Sequence, residues 1–122
     1  MKQIRLDIDY PKRHLAAAAE GSGVRPQTAE ELSLAVIVAA VNLVYSPQKQ
    51  RQMSIQELRM WSKVQDRMMD EDGKALPGDI DLSDEQFDFV YSKLTEAQYP
   101  PGFAAAVTCL VDYLEKIKLG AP

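Results

Sequence analysis

A mainly helical α+β domain is the fold class predicted by three observations on the 122-residue chain. Three stretches open with a hydroxyl residue, place Glu or Gln three positions later, and continue with apolar residues at three- and four-residue spacing, the signature of a capped helix start. Two short segments, 3–9 and 79–82, alternate apolar with charged or polar side chains, the period of a half-buried strand. No composition break, repeat or low-complexity tract interrupts the chain, so 1–122 reads as one globular domain. The expected architecture is a compact set of four to five helices around a buried central helix at 28–45, with a short two-stranded β-ribbon pairing 3–9 with 79–82.

In chain order, Ile4, Leu6 and Ile8 define the apolar face of the first strand, and Lys2, Arg5, Asp7 and Asp9 occupy other positions. Pro11 ends it and suits the first position of a short helix over 11–20, which Gly21 stops. After a loop at 21–27, Thr28 with Glu31 opens the 28–45 helix, which carries Leu32, Leu34, Val36, Ile37, Val38, Val41, Leu43 and Val44. A helix apolar almost all the way round is buried by neighbours on several sides. Pro47 stops it, and Ser54 with Glu57 opens an amphipathic helix reaching about residue 70. In that helix Ile55, Leu58, Trp61, Val64 and Met68 recur three or four apart, and Gln56, Arg59, Lys63, Asp66 and Arg67 fill other positions. The Asp-Gly and Pro-Gly pairs of 72–78 are turn chemistry. They lead to Ile80 and Leu82 of the second strand. Ser83 with Gln86 then caps a helix bearing Phe87, Val90, Tyr91 and Leu94. A break at 99–102 precedes the last helix, with Phe103, Val107, Leu110, Val111, Leu114 and Ile117 along one side and Gly120 at its end.

The motifs of catalysis and cofactor binding do not occur. His14 and Cys109 are the chain's one histidine and one cysteine, so a zinc site or a Cys-His pair has no ready partners. Cys109 lies in an apolar run and reads as a buried thiol in a reducing compartment. With Gly73 at position 6 of a calcium loop, Asp70 and Asp72 fall at positions 3 and 5, but Met68 stands at position 1 and Asp79 at position 12. The match fails for want of an oxygen ligand and a bidentate Glu. No cofactor and no metal are expected. An enzyme would need a pocket joining Asp7 or Asp81 to Tyr91, Tyr113 or Cys109.

The N-terminus alternates charge with apolar residues and lacks a secretory pattern. The longest apolar run, 34–41, is eight residues, against the ~20 that span a bilayer. A cytoplasmic protein is therefore expected, with no membrane partner. Helix-turn-helix recognition wants a connection of three or four residues, whereas the helices opening at Thr28 and Ser54 are separated by a longer one. Lys49, Arg51, Arg59, Lys63 and Arg67 form a basic stretch, but Glu57 and Asp66 are interspersed. That pattern reads as a solvated face, and direct nucleic-acid binding is not expected.

Charge distribution is the most informative feature. The net charge is −4. The window 70–88 alone holds eight carboxylates against Lys74, a net of −7. These carboxylates, Asp70, Glu71, Asp72, Asp79, Asp81, Asp84, Glu85 and Asp88, are the candidate partner-binding residues. Part of the cluster is structural, because Asp84 and Glu85 suit the first turn of a helix. The rest suits a docking surface for a basic protein, and the edge of the N-terminal strand suits addition of another chain. The sequence thus predicts a non-catalytic interaction or assembly protein, a homo-oligomer or a subunit of a larger structure. Size and acidity also fit phage- or virus-type accessory and structural subunits, in a virion or host cytoplasm. The competing expectations are an acidic, duplex-mimicking inhibitor of a nucleic-acid-binding protein and a small enzyme with a carboxylate and tyrosine site.

Overall fold

Capping chemistry sets where two of the helices begin. Ser54 Oγ accepts the Glu57 N–H at 3.2 Å while the Glu57 carboxylate accepts the Ser54 N–H, and Ser83 with Gln86 repeats the reciprocal pair. Each box satisfies two backbone donors that a helix start otherwise leaves open. The computed structural model describes residues 2–8, 29–45, 52–99 and 104–119. Over these residues the chain runs β1 (Lys2–Arg5), α1 (Ala29–Val44), α2 (Ile55–Met68), β2 (Asp79–Leu82), α3 (Asp84–Glu96) and α4 (Ala104–Lys118). The fold is mainly helical with one two-stranded antiparallel sheet. The helix expected at 11–20, the cap at Thr28 and His14 lie outside the described residues.

The ribbon pairs Lys2 with Leu82, Gln3 with Asp81, Ile4 with Ile80 and Arg5 with Asp79. It brings the first residues of the chain against the middle, as the shared alternation predicts. The first strand is shorter than the expected 3–9 and starts one residue earlier. Its end is fixed by side chains rather than by a ladder: Tyr113 Oη accepts the Arg5 N–H at 2.8 Å, and Ser33 Oγ donates to the Leu6 carbonyl. Helix α4 packs against β1, so the edge proposed for strand addition is blunted at its Arg5 end.

The core is one cluster. Ile4, Leu6, Ile80 and Leu82 from the ribbon meet Leu32, Val36, Ile37, Ala40 and Val44 of α1, Val64 and Met68 of α2, Phe87, Val90 and Leu94 of α3, and Leu110 and Leu114 of α4. Helix α1 supplies eight buried residues, and α3 touches α1, α2, α4 and β2. The polar exception in α1 is the fully buried Ser33, whose bond to Leu6 satisfies its hydroxyl and ties α1 to the strand end. Glu31, Ala35 and Asn42 leave a narrow exposed line on α1. Cys109 is half-buried on α4 rather than buried, because it sits beside Leu110 on the flank of that helix's core stripe. Gly73 and Gly78 take φ of +80° and +81°, the left-handed conformation that makes glycine the favoured residue in these turns. No helix among the described residues is long and apolar enough to cross a membrane.

Ile4→Ala removes a side chain that is 1% exposed. It should lower the unfolding free energy by about 2–4 kcal/mol in urea titration. Ala35→Lys, on the exposed line of α1, should change it by no more than about 0.5 kcal/mol. Equal losses in the two variants would contradict this packing.

Candidate functional site

All eight carboxylates of the acidic window are exposed, and the structure divides them by what they touch. Asp70 works for its own turn: its Oδ1 accepts the N–H groups of Asp72 and Lys74, both at 2.9 Å, inside a hairpin closed by the Met69 and Ala75 bridge. Asp84 accepts from Lys2 Nζ at 3.2 Å, and Asp79 lies 3.7 Å from Arg5 Nη1. The Lys2 ammonium holds the Asp84 carboxyl below its ordinary range. Among the described residues, Glu71, Asp72, Asp81, Glu85 and Asp88 have no side-chain ion-pair or hydrogen-bond partner. Their charge faces solvent. With β1 cations interleaved at Asp79 and Asp84, the window is not an unbroken acidic strip.

Of the residues proposed for a catalytic pocket, Asp7 and Tyr113 meet at Arg5. The guanidinium of Arg5 makes a bidentate pair with Asp7, two bonds of 2.8 Å, and its backbone N–H donates to Tyr113. The pair holds the Asp7 carboxyl low, and burial pushes the Tyr113 hydroxyl up. Arg5 and Asp79 are exposed, and the cluster anchors the strand end. Tyr91 instead donates to Glu115 at 3.0 Å. Among the described residues, no group of three or more His, Cys, Asp or Glu side chains could hold a metal ion.

The most constrained constellation centres on Lys93, a residue that the sequence reading did not single out. Its side chain is 9% exposed. Its Nζ lies 5.0 Å from the Tyr45 ring centre and 5.2 Å from that of Phe89, with Glu57 at 3.9 Å and Glu96 at 3.6 Å. Tyr45 Oη in turn donates to Glu57. Two rings and two carboxylates answer the cost of removing an ammonium group from water. Glu57 is held below the usual carboxylate range, first by the Tyr45 hydroxyl and then by the Ser54 N–H, while burial raises the Tyr45 hydroxyl. The missed signal lay in spacing. Val90, Lys93, Leu94 and Ala97 fall at i, i+3, i+4 and i+7, so the one cation of α3 sits on its core stripe.

Beside this node, α2 and α3 border an open groove of about 400 Å³ lined by Gln56, Glu57, Met60, Glu85, Asp88, Phe89 and Ser92. Met60 and Phe89 supply its apolar floor, with Trp61 stacked on Phe89 at 6.2 Å. Arg59, Lys63 and Arg67 are exposed at four-residue spacing on α2 and do not line this groove. Lys49 and Arg51, the other members of the basic stretch, lie outside the described residues. A second groove of about 320 Å³ runs between Asp66 and Arg67 of α2 and the approach to β2, at Leu76, Pro77, Asp79, Ile80 and Asp81. Neither groove is lined by Tyr91, Tyr113 or Cys109.

These pairings set a pH window. The lowered carboxyls of Glu57, Asp84 and Asp7 contribute stability that is present above their ordinary values of 4.5, 3.8 and 3.8 and lost as pH falls through the folded values. Tyr99, whose hydroxyl donates to the Leu94 carbonyl, is pushed by burial up to about 12. Its contribution is present below 10.0 and lost as pH rises toward 12. Thermal midpoints should therefore be flat near neutrality and fall on both sides. Glu57→Gln should flatten the acid limb, and Tyr99→Phe the alkaline limb. Unchanged limbs in both variants would contradict these assignments.

No protein-family model, curated protein or solved structure matches this chain.

Proposed function

We propose that this chain is a non-catalytic interaction and assembly protein, with the apolar α1 helix as the central scaffold and a charged binding face on the turn before β2, on β2 and on the start of α3. The observation that carries this reading is the free charge of the acidic window. Glu71, Asp72, Asp81, Glu85 and Asp88 are exposed and make no ion pair among the described residues. Charge of one sign held in one region, without internal partners, raises the rate and selectivity of association with a basic protein surface. The setting that goes with this role is cytoplasmic, or a virion or host cytoplasm for a phage-type accessory or structural subunit.

The test uses the full chain as bait in a lysate of its native source, with captured proteins identified by mass spectrometry. The variant Glu71→Gln, Asp72→Asn, Asp81→Asn should weaken association by roughly tenfold and flatten its salt dependence. Affinity and salt slope identical to those of the wild type would refute the acidic docking surface.

A further inference from the structure

We propose that the groove between α2 and α3 is the docking site for a helical segment of a partner protein that carries an apolar side chain and an Arg or Lys one turn apart on the same face. The proposal rests on the interaction reading above and names the occupant for the α3 half of the acidic window. Two features meet in this groove. Its floor is apolar, because Met60 and Phe89 are half-buried and Trp61 stacks on the Phe89 ring. Its charged lining is all of one sign: Glu57, Glu85 and Asp88 border it, and no cation among the described residues does.

The three carboxylates are not equivalent. Glu57 accepts from the Tyr45 hydroxyl and the Ser54 N–H and lies 3.9 Å from Lys93 Nζ, so its charge is answered within the chain. Glu85 and Asp88 are exposed and have no side-chain partner among the described residues. They supply the free charge of the groove. The groove beside β2 lacks this contrast, because Arg67 stands among its carboxylates and Asp79 already faces Arg5 at 3.7 Å.

Two contacts fix the order along the groove. Glu57 lies by Lys93 at 3.9 Å and Trp61 by Phe89 at 6.2 Å, so rising numbers on α2 run beside falling numbers on α3. Gln56 and Ser92 therefore form a neutral polar end, Met60 and Phe89 the apolar middle, and Asp88 and Glu85 the acidic end. The four steps from Phe89 to Glu85 are a rise of about 6 Å along α3. A helix laid beside α3 covers the same distance between its positions i and i+4. The matching segment therefore sets Leu, Met or Phe at i between Met60 and Phe89, and Arg or Lys at i+3 or i+4 against Asp88 and Glu85. Arg fits this end best, since its planar fork pairs with carboxylates through two bonds. The unbranched thioether of Met60 adapts to apolar anchors of different shape.

The same lining selects against other occupants. An acidic segment meets repulsion from Glu85 and Asp88, and a basic segment without an apolar anchor leaves the floor in water. A second copy set face to face brings Glu85 and Asp88 against like charge.

The experiment is fluorescence anisotropy of the full chain with a labelled, Ala-based helical peptide of about 18 residues, in which Leu is followed four positions later by Arg. The control peptide has the same composition with Leu and Arg on opposite faces, and circular dichroism verifies that each protein variant is folded. The first peptide should bind, and the control about tenfold more weakly. Glu85→Gln with Asp88→Asn should weaken binding by about tenfold and flatten its salt dependence. Met60→Ala should weaken it by about fivefold with the salt dependence kept. Glu71→Gln with Asp72→Asn, on the turn away from the groove, should bind as the wild type does. Equal affinity for the two peptides, or unchanged binding in the Glu85→Gln, Asp88→Asn variant, would overturn the proposal. So would a dimer of the chain alone, seen by sedimentation equilibrium, that the same two substitutions abolish, because a second copy would then fill the groove. Absent peptide effects beside weakened capture by the Glu71→Gln, Asp72→Asn, Asp81→Asn variant would overturn the groove site and leave the interaction reading standing. The predicted peptide effects beside unchanged capture by that variant would support the groove site and refute the wider acidic surface.

Discussion

A buried ammonium group organises this molecule. Lys93 leaves water with its side chain only 9% exposed, and an unpaired charge so placed would cost several kcal/mol. That cost is met only if Tyr45 from just beyond the end of α1, Glu57 from the first turn of α2, and Phe89 and Glu96 from α3 itself all converge on it. Three helices that the hydrophobic effect would press together in many ways are thereby held in one arrangement. The same contacts place Phe89 and Glu57 on the wall of the α2 and α3 groove. Fold and groove therefore share one electrostatic constraint.

Much of the backbone was legible from short-range chemistry. The capping boxes at Ser54 and Ser83 mark helix starts because they satisfy local donors, and the Asp-Gly and Pro-Gly turns lead into β2 with glycines at positive φ. Pairing of β1 with β2 was legible because both show the same alternation of apolar residues, which only a shared buried face explains. The end of β1 was not legible. Alternation continues through Leu6 to Ile8, but the ladder stops at Arg5, where backbone groups are claimed by Tyr113 and Ser33 from distant helices. Long-range side-chain capture of this kind leaves no local pattern. The half-burial of Cys109 has a related cause: an apolar neighbourhood in sequence does not say which flank of the helix a residue occupies.

The candidate site was legible in charge but not in geometry. The −7 window is plain in the sequence, whereas its division into turn-forming Asp70, ribbon-paired Asp79 and Asp84, and the solvent-facing remainder needs the tertiary structure. Asp79 and Asp84 are spent on holding β1, and this is why the ribbon carries its cations at Lys2 and Arg5. The basic stretch of α2 reads in isolation as a solvated face. On the folded chain it remains interspersed with Glu57 and Asp66, and Arg67 borders the groove beside β2 rather than the one beside α3.

The measurement that tests the Lys93 node most directly is a double-mutant cycle of Lys93→Met and Glu57→Gln, read as unfolding free energy in urea. The two residues are 3.9 Å apart across the α2 and α3 boundary. Glu57 remains partly exposed, so water screens the pair, and a coupling of about 1 kcal/mol is predicted. Additivity within about 0.3 kcal/mol would contradict the account, because the helices would then be held by apolar packing alone.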